Sequence, residues 1–388
     1  MKLLNVNGFD IKVDPSWLLI AALITWALSR HYFPTALPDR DVATYLVMAL
    51  VTMLCFFASL VLHELAHSLV ARRFGVPIKN ITLFLFGGVA ELEAEPQSAR
   101  VEFWIAVAGP VMSLCLGLSL WISMQVSLIV TGATALTEVL SYLALINVVL
   151  AVFNLVPAFP LDGGRILRAL LWHRSGDVLR ATATAARSGA IFAYALMGLG
   201  VLALFQGGLM TGLWNIMIGL FILGAARASY QQQLAKVAFE NKTVGDLMQS
   251  DPITVDPNAS LDEFVNRIML GRNVSFVPVV ENGVLLGHMD PKVLADIDRE
   301  NWTNTQVGDV FAGLEDASTI SPDVTIEALF KQISGSGCRK YMVVKGRQLV
   351  GVISLSDLTR FLNLSDRLLR HGEPRDDEGQ QSVTRQPS

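Results

Sequence analysis

Cysteine is scarce. Cys55, Cys115 and Cys338 are the only three in 388 residues and form neither a disulfide framework nor a CxxC site. Charge is scarce too: Asp, Glu, Lys and Arg make up 16% of the chain and leave a net charge of −4, which gives no reason to expect nucleic acid as a partner. The first fifteen residues, MKLLNVNGFDIKVDP, carry Asp10 and Asp14 and no apolar core, so no cleavable signal peptide is expected. What remains is apolar, with 52% hydrophobic residues and a mean hydropathy of +0.47. The apolar residues concentrate before about Tyr230 and the charged ones after it. The chain therefore divides into a membrane part and a soluble part near Tyr230 to Lys242.

Residues 4–13 alternate around Asn7-Gly8 and read as a short hairpin. Apolar runs long enough to span follow at about 16–30, 43–70, 103–130, 136–157, 189–205 and 209–226, giving a multi-span α-helical membrane protein of about six helices. Lys2, Lys12, Arg72, Arg73, Lys79, Arg100 and the arginines from Arg165 to Arg187 fall on one side, against Arg30 and Arg40 on the other. Positive charge marks the cytoplasmic face, so both termini and the soluble half are expected in the cytosol of a multi-pass cell-membrane protein.

Inside the second run lies His63-Glu64-Leu65-Ala66-His67. Residues four apart share a helix face, so His63 and His67 can present two imidazoles to one zinc ion while Glu64 reaches a water beside it. The alternative is a packed histidine pair bonded to a glutamate. Ionisable groups at membrane depth normally face a functional cavity, which favours the metal. Between runs two and three, residues 81–91 (ITLFLFGGVAE) are too short to span and rich in strand formers, and read as an embedded strand or re-entrant hairpin. Such a strand either holds an extended peptide by strand addition or is buried against helices. Run three carries Gly109-Pro110 and then Ser113; the proline should kink the helix or open its hydrogen-bond ladder, and simple helix packing explains the small residues equally well. Run four ends in NLVPAFPLDGGR, residues 154–165, whose prolines stop the helix and whose glycines permit a tight turn. Asp162 is the natural third zinc ligand, an N-cap being its alternative role. Asn154 can stabilise an oxyanion or bond neighbouring backbone.

HELAH in one membrane helix, an embedded Phe-Gly-Gly strand, Gly-Pro in the next helix and NLVPAFPLDGGR together resemble the site-2 protease family of intramembrane zinc metalloproteases over residues 1–230. The resemblance implies zinc held by His63, His67 and Asp162, Glu64 as general base and Asn154 facing the substrate. Relatives often carry Asn where this chain has Ser113, which removes one amide contact to substrate from what the resemblance implies.

After a polar linker at 231–242 the sequence repeats with a period of about sixty residues. Val244-Gly245-Asp246-Leu247-Met248 recurs as Val307-Gly308-Asp309-Val310-Phe311, and Leu285-Leu286-Gly287-His288-Met289 as Leu349-Val350-Gly351-Val352-Ile353. Each α/β repeat reads as strand, helix, two strands around a turn, and a second helix. Ser260 and Glu263 form a capping box, and Glu281-Asn282-Gly283 and Lys345-Gly346 form the turns. The pair, at 243–300 and 301–365, resembles tandem CBS domains. That resemblance implies an adenine nucleotide whose ribose meets Ser354 and Asp357, although the same two residues also make an ordinary helix start. The first repeat has Asp290-Pro291-Lys292-Val293 there, so at most one such site is intact. The tail, 366–388, is polar and expected to be disordered.

These readings converge on an intramembrane zinc endopeptidase that cuts membrane-spanning segments of other proteins in the lipid bilayer. The CBS pair would serve as a regulatory or homodimerisation module. The competing reading is a CBS-gated transporter or channel for a divalent metal, with the histidine cluster as its permeation site. An inactive relative is disfavoured by the intact HELAH and LDG.

Overall fold

The computed structural model describes residues 2–6, 9–84, 87–92, 96–294, 297–314 and 318–371. Two compact units emerge, Met1–Gln233 and Leu234–Ser388. The turn residues Asn7, Gly8, Leu85 and Phe86, and residues 372–388 of the tail, lie outside the described residues.

In the first unit both expected strand regions are present as hairpins, and they join one sheet. Strands β1 (Lys2–Val6) and β2 (Phe9–Val13) are antiparallel, as are β3 (Ile78–Phe84) and β4 (Gly87–Leu92). Parallel pairing of Asp10–Val13 with Asn80–Leu83 connects them in the order β1-β2-β3-β4. Both edges of β3 are therefore occupied. A strand-addition edge on this side of the sheet belongs to β4, not to the Leu83–Phe84 end of β3.

Helix α1 (Ser16–Ala27) continues through a π turn, Leu28–Tyr32, into a last turn at Phe33–Ala36. The helices that follow are α2 (Val42–Arg73), α3 (Ala99–Thr131), α4 (Ala135–Asn154), α5 (Asp162–Ser175), α6 (Val178–Phe205) and α7 (Leu209–Phe239). Among the described residues five of these, α2, α3, α4, α6 and α7, are long and apolar enough to cross a membrane. The expected first span is helical but broken by its π turn. Side-chain caps start the longest helices: Asp41 accepts from Thr44 N at 3.3 Å, and Ser98 from Val101 N at 3.4 Å. Helix α2 is the most enclosed, with 44% of its apolar stretch buried against 17% for α6. Bare apolar side chains such as Ile129 and Phe205, 84% and 86% exposed, suit lipid rather than water.

The second unit is a six-stranded sheet flanked by helices. It contains α8 (Val244–Leu247), α9 (Leu261–Glu263, continuing as a π turn Phe264–Leu270), β5 (Val277–Glu281), β6 (Val284–Met289) and α10 (Pro291–Leu294). The second repeat supplies α11 (Val307–Val310), β7 (Ala312–Gly313), β8 (Thr319–Ile320), α12 (Ile326–Ser336), β9 (Lys340–Lys345), β10 (Gln348–Ser354) and α13 (Leu355–His371). The sheet runs β5-β6-β10-β9-β8, with β7 against β6. At the first hairpin Asn282 and Gly283 take φ of 49° and 81°, the left-handed pair that a tight two-residue turn needs.

The repeats exchange their leading turns. Val244, at the head of the first repeat, is fully buried with Ile320, Ile326, Tyr341 and Ile353 of the second. Val307, at the head of the second, is buried with Val255, Leu261, Phe264 and Val277 of the first. Capping boxes fix both turns, Thr243 with Asp246 and Gln306 with Asp309. Neither lobe has a closed core without a segment from the other repeat.

Candidate metal centre

Helix α2 places His63 and His67 one turn apart, and the N-terminus of α5 delivers Asp162 to them. Nε2 of His63 and Oδ2 of Asp162 are 3.2 Å apart, Nε2 of His67 is 3.2 Å from the same oxygen, and the two ring nitrogens are 3.2 Å from each other. All three residues are buried, at 3%, 5% and 9% exposure. A triangle of that edge is one face of a tetrahedron around an ion about 2.0 Å from each corner, the zinc–imidazole distance. Two imidazoles and a carboxylate also make the donor set of a catalytic zinc site with one position left open.

The outer nitrogens fix the rings. His67 Nδ1 lies 2.6 Å from the Ile105 carbonyl oxygen, which can only accept. That nitrogen therefore carries the proton and leaves the Nε2 lone pair facing Asp162. His63 Nδ1 lies 2.9 Å from Ser113 Oγ, which is fully buried.

The N-cap role for Asp162 is not realised. Leu161 occupies the cap position, without a side-chain bond, and Asp162 is the first helical residue. The Gly-Gly pair serves close approach rather than turn conformation. A Cβ at Gly163 would strike the carbonyl oxygens of Leu155 and Val156, and one at Gly164 the backbone of Ala158 and Phe159. The loop that ends α4 thus packs directly on the first turn of α5 and sets where Asp162 points.

Glu64 is half-buried beside His63, and its carboxylate has no hydrogen-bond partner among the described residues. Asn154, the last residue of α4, is likewise half-buried and makes no side-chain hydrogen bond among them.

Three contributors were given no part in the metal site by the sequence. Ser113 lies against a histidine instead of a substrate. Ile105 acts through its backbone, which side-chain identity cannot signal. Glu102 on α3 and Arg168 on α5 form a buried ion pair, with Arg168 Nε donating to Glu102 Oε1 at 2.7 Å and Nη2 donating to the same oxygen. The guanidinium also lies over the Phe159 ring, 5.2 Å from its centroid. Opposite charges at the edges of two apolar segments were the available signal for this pair.

In the second unit Ser354 and Asp357 satisfy each other. Ser354 N and Oγ donate to Asp357 Oδ2 at 3.0 and 2.6 Å, and Asp357 N donates back to Ser354 Oγ at 3.3 Å. Beside this cap a cavity of about 850 Å³ is lined by Arg339, Lys340, Ser354, Arg360 and Arg367 among others. Lys340 Nζ donates to Ser275 Oγ at 2.8 Å, while Arg339, Arg360 and Arg367 have no ion-pair partner among the described residues.

Known proteins resemble this chain along almost all its length. The pattern of peptidase family M50 matches residues 51–131 and 126–198, and that of the CBS domain matches 244–288 and 307–364. A Mycobacterium tuberculosis protein provisionally named zinc metalloprotease Rip3 is 34% identical over 365 residues, 93% of this chain and 92% of that one. A provisionally named zinc metalloprotease of Synechocystis is 30% identical over 93% of this chain and 95% of its own. Among solved structures, the site-2 protease from Methanocaldococcus jannaschii is 30% identical, with a TM-score of 0.42 over 59% of this chain and 94% of that one.

Proposed function

The chain belongs to peptidase family M50, the site-2 proteases, and on that premise we propose that it is an intramembrane zinc endopeptidase cutting a membrane-spanning segment of another protein. The observation that carries this reading is the 3.2 Å triangle of His63, His67 and Asp162 with the unpaired Glu64 carboxylate next to it. Those three residues would hold zinc, which when bound polarises a carbonyl and acidifies water. Glu64 takes the proton from the attacking water and returns it to the leaving amide nitrogen. Asn154 has an uncommitted amide to donate to the oxygen that gains charge. A helical substrate must unwind before its carbonyl is accessible, and the β4 edge offers the freed backbone a strand to pair with.

The same reading places both termini in the cytosol, on the arginine-rich side, and makes the CBS pair a regulatory and dimerising module. Its basic cavity suits the phosphates of an adenine nucleotide, with Ser354 near the ribose and Asp357 holding Ser354 in place.

Purified full-length protein in detergent, natural and Glu64→Gln, tests the core of this reading with parallel zinc and cleavage assays on a membrane-spanning peptide. Zinc in both and cleavage only by the natural protein is the expected result. Undiminished cleavage by Glu64→Gln would remove Glu64 from its role, and absence of zinc from both would remove the centre itself.

A further inference from the structure

The metal reading of His63, His67 and Asp162 gives α3 contacts to the outer nitrogens of the two rings, yet α3 touches the site more closely than any sequence motif indicates. Ile105, Gly109 and Ser113 are spaced by four and form one stripe of that helix. The outer two hold the rings, Ile105 O at His67 Nδ1 and Ser113 Oγ at His63 Nδ1. Gly109 lies between them, against the inner nitrogens. A Cβ placed there would stand 2.5 Å from His63 Nε2, closer still to His67 Nε2, and 2.6 Å from His67 Cε1.

Those separations are nearly the distances at which imidazole nitrogens bind zinc, about 2.0–2.1 Å. The methyl of an alanine would therefore compete for the volume an ion occupies between the same two nitrogens. Placing the ion on the other side of that nitrogen pair gives no escape, since both groups would still lie within about 3 Å of one another. The rings cannot swing aside cheaply either, because Ile105 O and Ser113 Oγ hold them from the same helix. We propose that Gly109 is a positioning residue whose missing side chain keeps the ion's place open, which makes α3 the back wall of the metal site.

Ordinary helix packing does not account for this. Gly117, two turns further along α3, faces crowding of the common kind, with its Cβ 2.9 Å from Val148 Cγ2 and 3.4 Å from Ala144 O. No metal ligand is among those neighbours. Alanine extends a helix more readily than glycine, so loss of helix is not the expected effect at either position.

The inference is tested on the purified full-length chain in detergent, comparing the natural protein, Gly109→Ala and Gly117→Ala. The readouts are zinc per chain, zinc affinity against a competing chelator, and the absorption of bound Co(II). Gly109→Ala should lose at least tenfold in affinity and lose the tetrahedral Co(II) bands while keeping its helical circular dichroism; Gly117→Ala should keep all three. Zinc bound by Gly109→Ala as tightly as by the natural chain overturns the inference but leaves the metal reading intact. Absence of zinc from the natural chain sinks that reading and the inference with it. Should Gly109→Ala fail to fold, the same change is made in a His63→Ala/His67→Ala background. Recovered folding there shows that the methyl strikes the rings, and continued failure overturns the proposal.

Discussion

Breaking the Glu102–Arg168 pair from each side measures how firmly α5, and with it Asp162, is held against α3. Arg168→Met leaves a carboxylate at 0% side-chain exposure with no counter-ion. Glu102→Met leaves a guanidinium that is 10% exposed and still lies over Phe159 at 5.2 Å. Removing one partner of a buried pair costs about 3–5 kcal/mol, because the remaining charge is stranded in a low dielectric. The retained cation–π contact offsets about 0.5–2 kcal/mol for the arginine, so Arg168→Met should be the worse of the two. Replacing both with methionine removes the charges together and should fall within about 1 kcal/mol of the natural protein. The cycle then shows a coupling of at least ~3 kcal/mol. The assay is denaturant unfolding of the four detergent-solubilised proteins, followed by loss of helical circular dichroism. Single variants costing less than about 1 kcal/mol, as exposed pairs do, would refute the burial argument. A double variant as unstable as the sum of the singles would refute the coupling.

Three further outcomes are expected. Ser113→Ala removes the partner of His63 Nδ1 and should weaken zinc about 10–100-fold, read by chelator competition, while Ser113→Thr keeps a hydroxyl there and should weaken it less. Val244→Ala should cost roughly 2 kcal/mol, and hydrogen exchange should rise at Tyr341 and Val343 of the second repeat more than at Val277 and Val279 of the first. Arg360→Ala with Arg367→Ala should abolish a preference for ATP over AMP in calorimetric titration, and a preference unchanged from the natural chain would remove the basic cavity from phosphate recognition.

What could be read from the sequence was local. His63, Glu64 and His67 sit within one turn of one helix, so their shared face follows from periodicity alone, and Asp162 stands where prolines and glycines announce a change of element. The hairpins and the two repeats were visible for the same reason, through alternation, turn residues and self-similarity. The features that escaped notice depend on chain segments far apart. Parallel pairing of β2 with β3 brings together residues about seventy positions apart, and no local pattern encodes it. The exchange of leading turns has the same character, since Val244 looks equally apolar whichever lobe it fills. At the centre, Gly109 and Ser113 looked like packing residues until the approach of α2 fixed what they pack against.

That approach also separates catalysis from passage of a metal. A permeation route requires successive sites that bind weakly enough to release. Among the described residues His63, His67 and Asp162 are the one set of three His, Cys, Asp or Glu side chains able to share an ion. The outer nitrogens of the two rings are committed as well. Ile105 O and Ser113 Oγ hold the rings, while the Glu102–Arg168 pair ties α5, whose first residue is Asp162, to α3. A site with both rings so braced would hold an ion firmly, because release would require the braces to yield together. Retention is of little use to a carrier and is what a hydrolase needs, provided an unengaged base stands next to the ion. On the proposed reading Glu64 would be that base: it is the one ionisable group of the HELAH turn left outside the bracing.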